Sequence, residues 1–386
     1  LIDEKLIEFA TEKDKQYIEA IKLYGNANQA AKVLGKSPGT IGNAMANLER
    51  RAARNGYSPD HGMTKPVPDG FNAARISTNY DKDGKINQQW VIATPDKERQ
   101  HELMQAAITA MAADLPKVEP VPAPTQTIDE LCNLITFSDY HLGMLSWRKE
   151  GGADWDLKIA EKMLLDSFLY MVEAAPKAKT LVLCLQGDFL HTDGLLPLTP
   201  AHKNVLDADG RYSKIIDVAI RVVKQIIRHA LGRHQFVHVV ICEGNHDETG
   251  SIWMRKMFAS MYEDEPRLTV NDSELPFYVY QHGNTMLGFH HGHKVKNEQL
   301  PLLFASQYPK MWGNTTKRYC HTGHRHHVDE KEFAGMTVVQ HPTLAARDAH
   351  AARGGWISER AASVITYHSD FGQVARNVVT PEMLAA

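Results

Sequence analysis

Phe236-Val237-His238-Val239-Val240-Ile241-Cys242-Glu243-Gly244-Asn245-His246-Asp247 is an apolar, β-prone run that ends on a turn glycine and three polar side chains. A run this short and apolar reads as a buried strand. Four other stretches repeat the pattern. Leu134-Ile135-Thr136-Phe137 runs into Ser138-Asp139-Tyr140-His141, and Leu181 to Leu185 runs into Gly187-Asp188-Phe189-Leu190-His191. Thr285 to Phe289 runs into His290-His291-Gly292-His293, and Arg318-Tyr319-Cys320 leads to Thr322-Gly323-His324-Arg325-His326-His327. In α/β proteins the carboxyl ends of strands line the ligand crevice. Five loops can therefore deliver their polar residues to one place.

The residue types point to binding of divalent metal ions. Asp139 and His141 are two apart, so an extended chain puts them on one side, and His324 and His326 repeat the spacing. Glycines 187, 244, 292 and 323 let the backbone turn beside a ligand. Carboxylate, amide oxygen and imidazole suit divalent ions such as Mn, Fe or Zn. All five loops lack cysteine, which argues against a structural zinc finger.

The ordered set Asp139-x-His141, Gly187-Asp188, Gly244-Asn245-His246-Asp247, His291-Gly292-His293 and Gly323-His324-x-His326 resembles the calcineurin-like metallophosphoesterase superfamily over roughly residues 128–345. The resemblance implies an α/β (α+β) four-layer β-sandwich of mixed sheets flanked by helices. It implies two divalent ions, Mn first, with Fe, Zn or Mg as alternatives. One ion would take Asp139, His141 and His326; the other would take Asn245, His291 and His324; Asp188 would bridge them. His246 would be the general acid facing the leaving group, and Asp247 would orient it. His290 stays open as the alternative to His291. The segment Gly187-Asp188-Phe189-Leu190-His191 resembles the DNA-repair exonuclease branch, which implies that His191 helps position His246 or contacts phosphate.

The rest of the chain reads in sections. Residues 1–60 are helical in pattern; residues 61–95 suggest a β-hairpin turning at Asp81-Lys82-Asp83-Gly84. Residues 96–127 suggest an Ala- and Met-rich helix over 96–115 and an extended linker marked by Pro116, Pro120, Pro122 and Pro124. Residues 128–386 form the catalytic section. Ala345 to Arg353 reads as a solvated helix, and Ala361 to Val379 as a closing hairpin.

Within residues 28–48, Ala31, Gly35 and Ile41 match the small residue, turn glycine and buried aliphatic of a helix-turn-helix. Ser37-Pro38 is a good N-cap and first-turn pair. Lys32, Lys36, Arg50, Arg51 and Arg54 outnumber Glu49 there, as a phosphate-contacting face requires. Lys36, Thr40, Asn43, Arg50 and Arg51 are the candidate DNA contacts. A packing or dimerisation module is the alternative, with the hairpin as a wing or a packing element.

Whole-chain properties narrow the classes. The 386 residues carry a net charge of −3, so any nucleic-acid affinity must come from local patches. No apolar run approaches the roughly 18 residues of a membrane span. The opening Leu1-Ile2-Asp3-Glu4 does not read as a signal peptide. Cys132, Cys184, Cys242 and Cys320 are widely spaced and read as buried thiols of a cytoplasmic protein. There are 20 histidines, and most outside the five blocks read as surface or core residues: His202, His229, His234, His238, His282, His341, His350 and His368. His321 and His327 read as support or solvent-facing.

A helix-turn-helix joined to such a phosphoesterase resembles phage-encoded phosphoesterases in layout, which would place the protein in a host cytoplasm. The first reading is a metal-dependent DNA nuclease, with DNA as partner, no membrane and oligomeric state open. The second is a phosphatase or phosphodiesterase for a phosphoprotein, cyclic nucleotide or small phosphoester. The third is a DNA-binding regulator with a relic catalytic domain, and the complete ligand set counts against it.

Overall fold

The structure, a computed structural model, describes residues 3–61, 63–64, 67–83, 85–96, 98–99, 102, 106 and 121–384. It divides into two compact units, residues 1–107 and 108–386.

The first unit begins with three α-helices, α1 (Glu12–Tyr24), α2 (Ala27–Val33) and α3 (Pro38–Arg54). Their starts follow local chemistry. Thr11 and Asp14 form a reciprocal capping box on α1, and the Asn26 and Ser37 side chains accept the Gln29 and Thr40 amides. Gly35 turns the chain between α2 and α3 at φ 62°. Tyr17, Ala20, Ala30, Ala31 and Ile41 pack into one small core. A short strand pair follows, β1 (Tyr57–Ser58) with β2 (Met63–Thr64). The hairpin of β3 (Phe71–Tyr80) and β4 (Ile86–Pro95) is antiparallel, as the Asp-Gly turn signal predicted. Most of the helix expected over 96–115, and the prolines at 116 and 120, lie outside the described residues.

The second unit is a sandwich of two mixed sheets. One has the order β15-β14-β5-β6-β7-β8, built from β5 (Ile128–Phe137), β6 (Ala178–Leu185), β7 (Phe236–Ile241), β8 (Leu268–Val270), β14 (Ala362–His368) and β15 (Gly372–Val379). The other has the order β12-β13-β11-β10-β9, built from β9 (Tyr278–His282), β10 (Thr285–Phe289), β11 (Lys317–Thr322), β12 (Asp329–Phe333) and β13 (Met336–Gln340). β5 to β8 run parallel, as do β10, β11 and β13.

Period-2 alternation makes the layers. Ile135 and Phe137 of β5, with Leu181, Leu183 and Leu185 of β6, pack on the helices Leu157–Ala174, Tyr212–Arg233 and Glu248–Met261. The intervening Leu134, Val182 and Cys184 meet Leu287 and Phe289 of the second sheet. The outer face of that sheet, Met286, Cys320 and Val338, packs on Leu300 and Phe304 of the helix Leu300–Gln307. The result is four layers: helices, sheet, sheet, helices. All four cysteines are free and buried in these cores. At roughly 25 cal/mol per Å² of apolar surface, each fully buried Leu or Phe contributes about 1.5–3 kcal/mol.

One local expectation is corrected. The helix read over Ala345 to Arg353 begins only at Ala349, because Asp348 caps it through the Ala351 amide. Ala345 and Ala346 are instead buried in the main core. The end of the proline-marked stretch is tied into the second unit: Val121 N–H donates to Glu265 Oε2 at 3.2 Å, and Arg267 donates to the Val121 carbonyl.

Candidate metal centre

All five polar blocks follow the carboxyl ends of β5, β6, β7, β10 and β11. The first two loops are zipped together by the backbone. Asp139 and His141 N–H donate to the Gly187 and Asp188 carbonyls at 3.2 and 2.9 Å, and Leu142 N–H donates to Phe189 at 2.8 Å. Among the described residues, six that are not glycine have positive φ: Asp139, His141, Asp188, Lys203, His324 and His326. Five of these six are ligand candidates. This corrects one expectation: Asp139-x-His141 and His324-x-His326 do not aim together because the chain is extended, but because each residue is left-handed, with φ between 48° and 71°. Each such residue costs about 1–3 kcal/mol and persists only where the surroundings hold it, most often at functional sites.

The glycines have steric reasons. A Cβ on Gly187 would lie 2.6 Å from the His291 ring. A Cβ on Gly244 would lie 2.2 Å from Asp188 Oδ1, and one on Gly323 would lie 2.6 Å from Asp139 Oδ2.

The ligand atoms of Asp139, His141 and His326 lie within 4.8 Å of one another, and so do those of Asp188, His291 and His324. His291 Nε2 is 3.2 Å from Asp188 Oδ2 and 3.8 Å from Asp139 Oδ1, which joins the two groups. His291 Nδ1–H donates to the Gln186 carbonyl at 2.8 Å, leaving Nε2 for the centre. His290 turns the other way, with Nδ1 on the Pro276 carbonyl at 2.9 Å and its ring against Phe277. Asn245 sits between two contacts to Asp188, the close approach of Gly244 and the His246 N–H donated to Oδ1 at 2.8 Å. Its own Oδ1 is buried without a hydrogen bond.

Cations fit this centre. His191 Nε2, Asn245 Oδ1 and both His293 ring nitrogens are buried without hydrogen-bond partners, and leaving such atoms unsatisfied costs about 1–3 kcal/mol each. Burial alone would strip the His291 proton, but Asp188 and Asp139 push its pKa up to about 10. Burial would likewise raise Asp139, yet His326 and His291 hold it below the usual carboxylate range. Two buried carboxylates thus draw positive charge into the pocket. His141, short of such compensation, is held well below its usual pKa by burial and by neighbouring His246. Buried neutral imidazole beside carboxylate is a donor set for a divalent ion.

His246 stands beside this centre. Its Nδ1–H donates to the His191 carbonyl at 3.0 Å, and its ring lies 4.8 Å from that of His141 and 5.5 Å from that of His191. The expected role of Asp247 is corrected. Its carboxylate does not reach the His246 ring; it accepts the Asp188 and Gly244 amides at 3.1 Å and the Leu190 amide at 3.0 Å. It therefore clamps the loop that carries Asp188.

Ser138 and Thr343 escaped the sequence reading, whereas His293, His321 and His341 were noticed there without these partners. Ser138 Oγ donates to Asp139, and Thr343 Oγ1 donates to the Asp139 carbonyl at 2.7 Å. His293, with Glu243 and Glu248, forms a further group of possible ligand atoms, where Lys294 already pairs with Glu243. His321 and His341, both buried, share a 2.9 Å contact beneath Tyr367.

In the first unit, Lys36, Thr40, Asn43 and Arg50 are exposed. Arg51 is only half-exposed and is already engaged within the unit. Its guanidinium donates to the Phe9 carbonyl at 2.7 Å and to Asp14 at 2.5 Å, tying α3 to the chain before α1. No described helix is long and apolar enough to cross a membrane.

No protein-family model matches this chain, and no curated protein does. Among solved structures it is similar to the zinc-complexed Vps29 of Entamoeba histolytica, at 14% identity over 64% of this chain and 98% of that one, with a TM-score of 0.29. A predicted phosphoesterase of Streptococcus pneumoniae gives 13% identity, 65% and 91% coverage and a TM-score of 0.27. An archaeal phosphodiesterase gives 11%, 64%, 99% and 0.31. At these scores the likeness carries no argument about what this chain does.

Proposed function

We propose that the protein is a divalent-metal-dependent phosphodiesterase, with DNA as its substrate and Mn as the best-suited ion. The observation that carries this reading is the left-handed backbone at Asp139, His141, Asp188, His324 and His326. Strain concentrated on five convergent acidic and imidazole side chains is the mark of a site held ready for ligands.

Asp139, His141 and His326 would hold one ion, Asn245, His291 and His324 a second, and Asp188 would serve both. Such a pair supplies an acidified water and a clamp on the phosphate. The chain does the rest. The His246 Nδ1–H bond to the His191 carbonyl leaves Nε2 to carry a proton to the departing oxygen. General acid catalysis of this kind is worth roughly 10²–10⁴ in rate. Asp247 keeps the Asp188 loop in register with the loop of His246.

DNA is supported by the first unit. Lys36, Thr40, Asn43 and Arg50 lie exposed on and just before α3, where a helix could enter a groove beside phosphates. The test is incubation of the pure protein with Mn, Mg or Zn and labelled single- and double-stranded DNA. Cleavage with Mn supports the proposal. Turnover of bis(p-nitrophenyl) phosphate without DNA cleavage would replace DNA by a small phosphoester, and hydrolysis of neither would end the enzyme reading.

A further inference from the structure

The helix Glu248–Met261 begins directly behind His246, and its own N-cap residue cannot cap it. Asp247 holds that position, but its side chain makes no cap bond, because both oxygens are taken by the amides of residues 188, 190 and 244. The first-turn amides of a helix still need acceptors. They find them in Asp193, from the loop that follows β6. Asp193 Oδ2 accepts Thr249 N–H at 2.7 Å, and Oδ1 accepts Gly250 N–H at 2.6 Å. Gly250 permits the approach, since a Cβ there would lie 2.8 Å from Leu190 and 3.2 Å from Asp193 Oδ1.

This cap is supplied in trans, and it has a consequence two residues away. The Leu190–Asp193 segment is latched to the His246 loop at three points. Leu190 N–H reaches Asp247, the His191 carbonyl receives His246 Nδ1–H, and Asp193 receives the helix amides. The middle bond sets the orientation and tautomer of the His246 ring, and the outer two hold that carbonyl still.

We propose that Asp193 is a positioning residue for His246: by capping the helix in place of Asp247, it fixes the His191 carbonyl that aims the proton donor. The inference rests on His246 being that donor. Burial pushes the Asp193 pKa up to about 6, so at pH 8 the residue is a carboxylate, the stronger acceptor for two amides and the better match for a helix N-terminus.

The test uses the full chain and two diesters that differ in leaving group. Bis(p-nitrophenyl) phosphate releases a stable phenolate and needs little protonation; thymidylyl-(3′→5′)-thymidine releases an alkoxide and needs much. His246→Ala should lose far more rate on the dinucleotide than on the nitrophenyl ester. Asp193→Ala should show the same asymmetry, smaller, with about a tenfold loss on the dinucleotide out of the roughly 10²–10⁴ that the acid supplies. Asp193→Ser, which can still cap, should recover most of it. Equal losses on both esters at unchanged metal content would overturn the proposal. Side-chain ¹⁵N spectra of the Mg-loaded protein give a second readout: His246 should be Nδ1–H in the parent and lose that preference in Asp193→Ala. An unchanged His246 tautomer would also overturn it. If the parent cleaves neither ester, the phosphoesterase reading fails, while the tautomer still decides whether Asp193 holds the ring.

Discussion

The two units carry their nominated residues in different ways. In the second unit those residues sit just past strand ends, most of them buried and five of them on left-handed backbone, and five separate loops bring them together. In the N-terminal unit Lys36, Thr40, Asn43 and Arg50 lie exposed on or beside one regular helix, with ordinary backbone throughout. A site of the first kind is expensive to build, because buried donors and left-handed non-glycine residues each destabilise the fold by about 1–3 kcal/mol. A face of the second kind costs almost nothing and leaves no such signature. The contrast shows where structure can test a motif: convergence and strain separate ligands from bystanders, whereas exposure on a helix separates nothing.

The comparison breaks first at its strongest point. Asp188→Ala should strip both ions and lower phosphodiester turnover by roughly a thousandfold or more, since the acidified water and the phosphate clamp go together. Metal analysis alongside kinetics checks this, and a variant retaining two ions per chain would show that the two groups do not share Asp188. Next comes Gly187→Ala. A methyl group there meets the His291 ring on a φ of 84°, so one ion should be weakened selectively. Turnover should fall by roughly 10–100-fold, the scale of disturbed ligand orientation, with metal content between one and two.

A third prediction concerns the scaffold behind the site. His234 is buried, with Nδ1–H on the Ala230 carbonyl and Nε2 facing the Asn133 amide. Burial lowers its pKa to about 4, against about 6.5 in an unfolded chain. A depressed histidine binds its proton more readily when unfolded. Its contribution is therefore present above pH 6.5 and lost as the pH falls toward 4, by up to about 3 kcal/mol. Chelator-treated protein melted at pH 7.5 and 4.5 should show a smaller drop for His234→Gln than for the parent; identical drops would discard the idea.

The smallest effects sharpen the other side of the comparison. Arg51→Ala should destabilise the N-terminal unit by about 1–3 kcal/mol through loss of its charged hydrogen bonds to Asp14 and Phe9. It should leave the salt dependence of DNA retention alone. Lys36→Ala should do the reverse, weakening DNA binding a few-fold and flattening the salt slope by about one. Denaturant melts and filter binding at several salt concentrations would show whether the two variants exchange these behaviours.

Legibility followed range. Strand alternation, the stop at each polar block and the cap at Ser37 are local, and the structure shows each where its residues stand. The bonds of Arg51 to Phe9 and Asp14 were not legible because they come from the start of the chain, far from α3 in sequence. Asp247 was misread because its carboxylate turns away from the ring of its sequence neighbour His246 and is taken by the amides of residues 188, 190 and 244. Asp193 carried no signal at all: capping a helix more than fifty residues away leaves no spacing to find.

By itself, then, the sequence determined the alternating strands, the five polar tips, the helix starts and the absence of cysteine from the tips, because each depends on residues within about one turn or one strand of each other. Only the tertiary structure decided which oxygen each amide reaches, which of His290 and His291 faces the carboxylates, and which acid caps the helix behind His246. Hydrogen-bond partners are chosen by distances of about 3 Å, and those distances exist only once distant segments are packed.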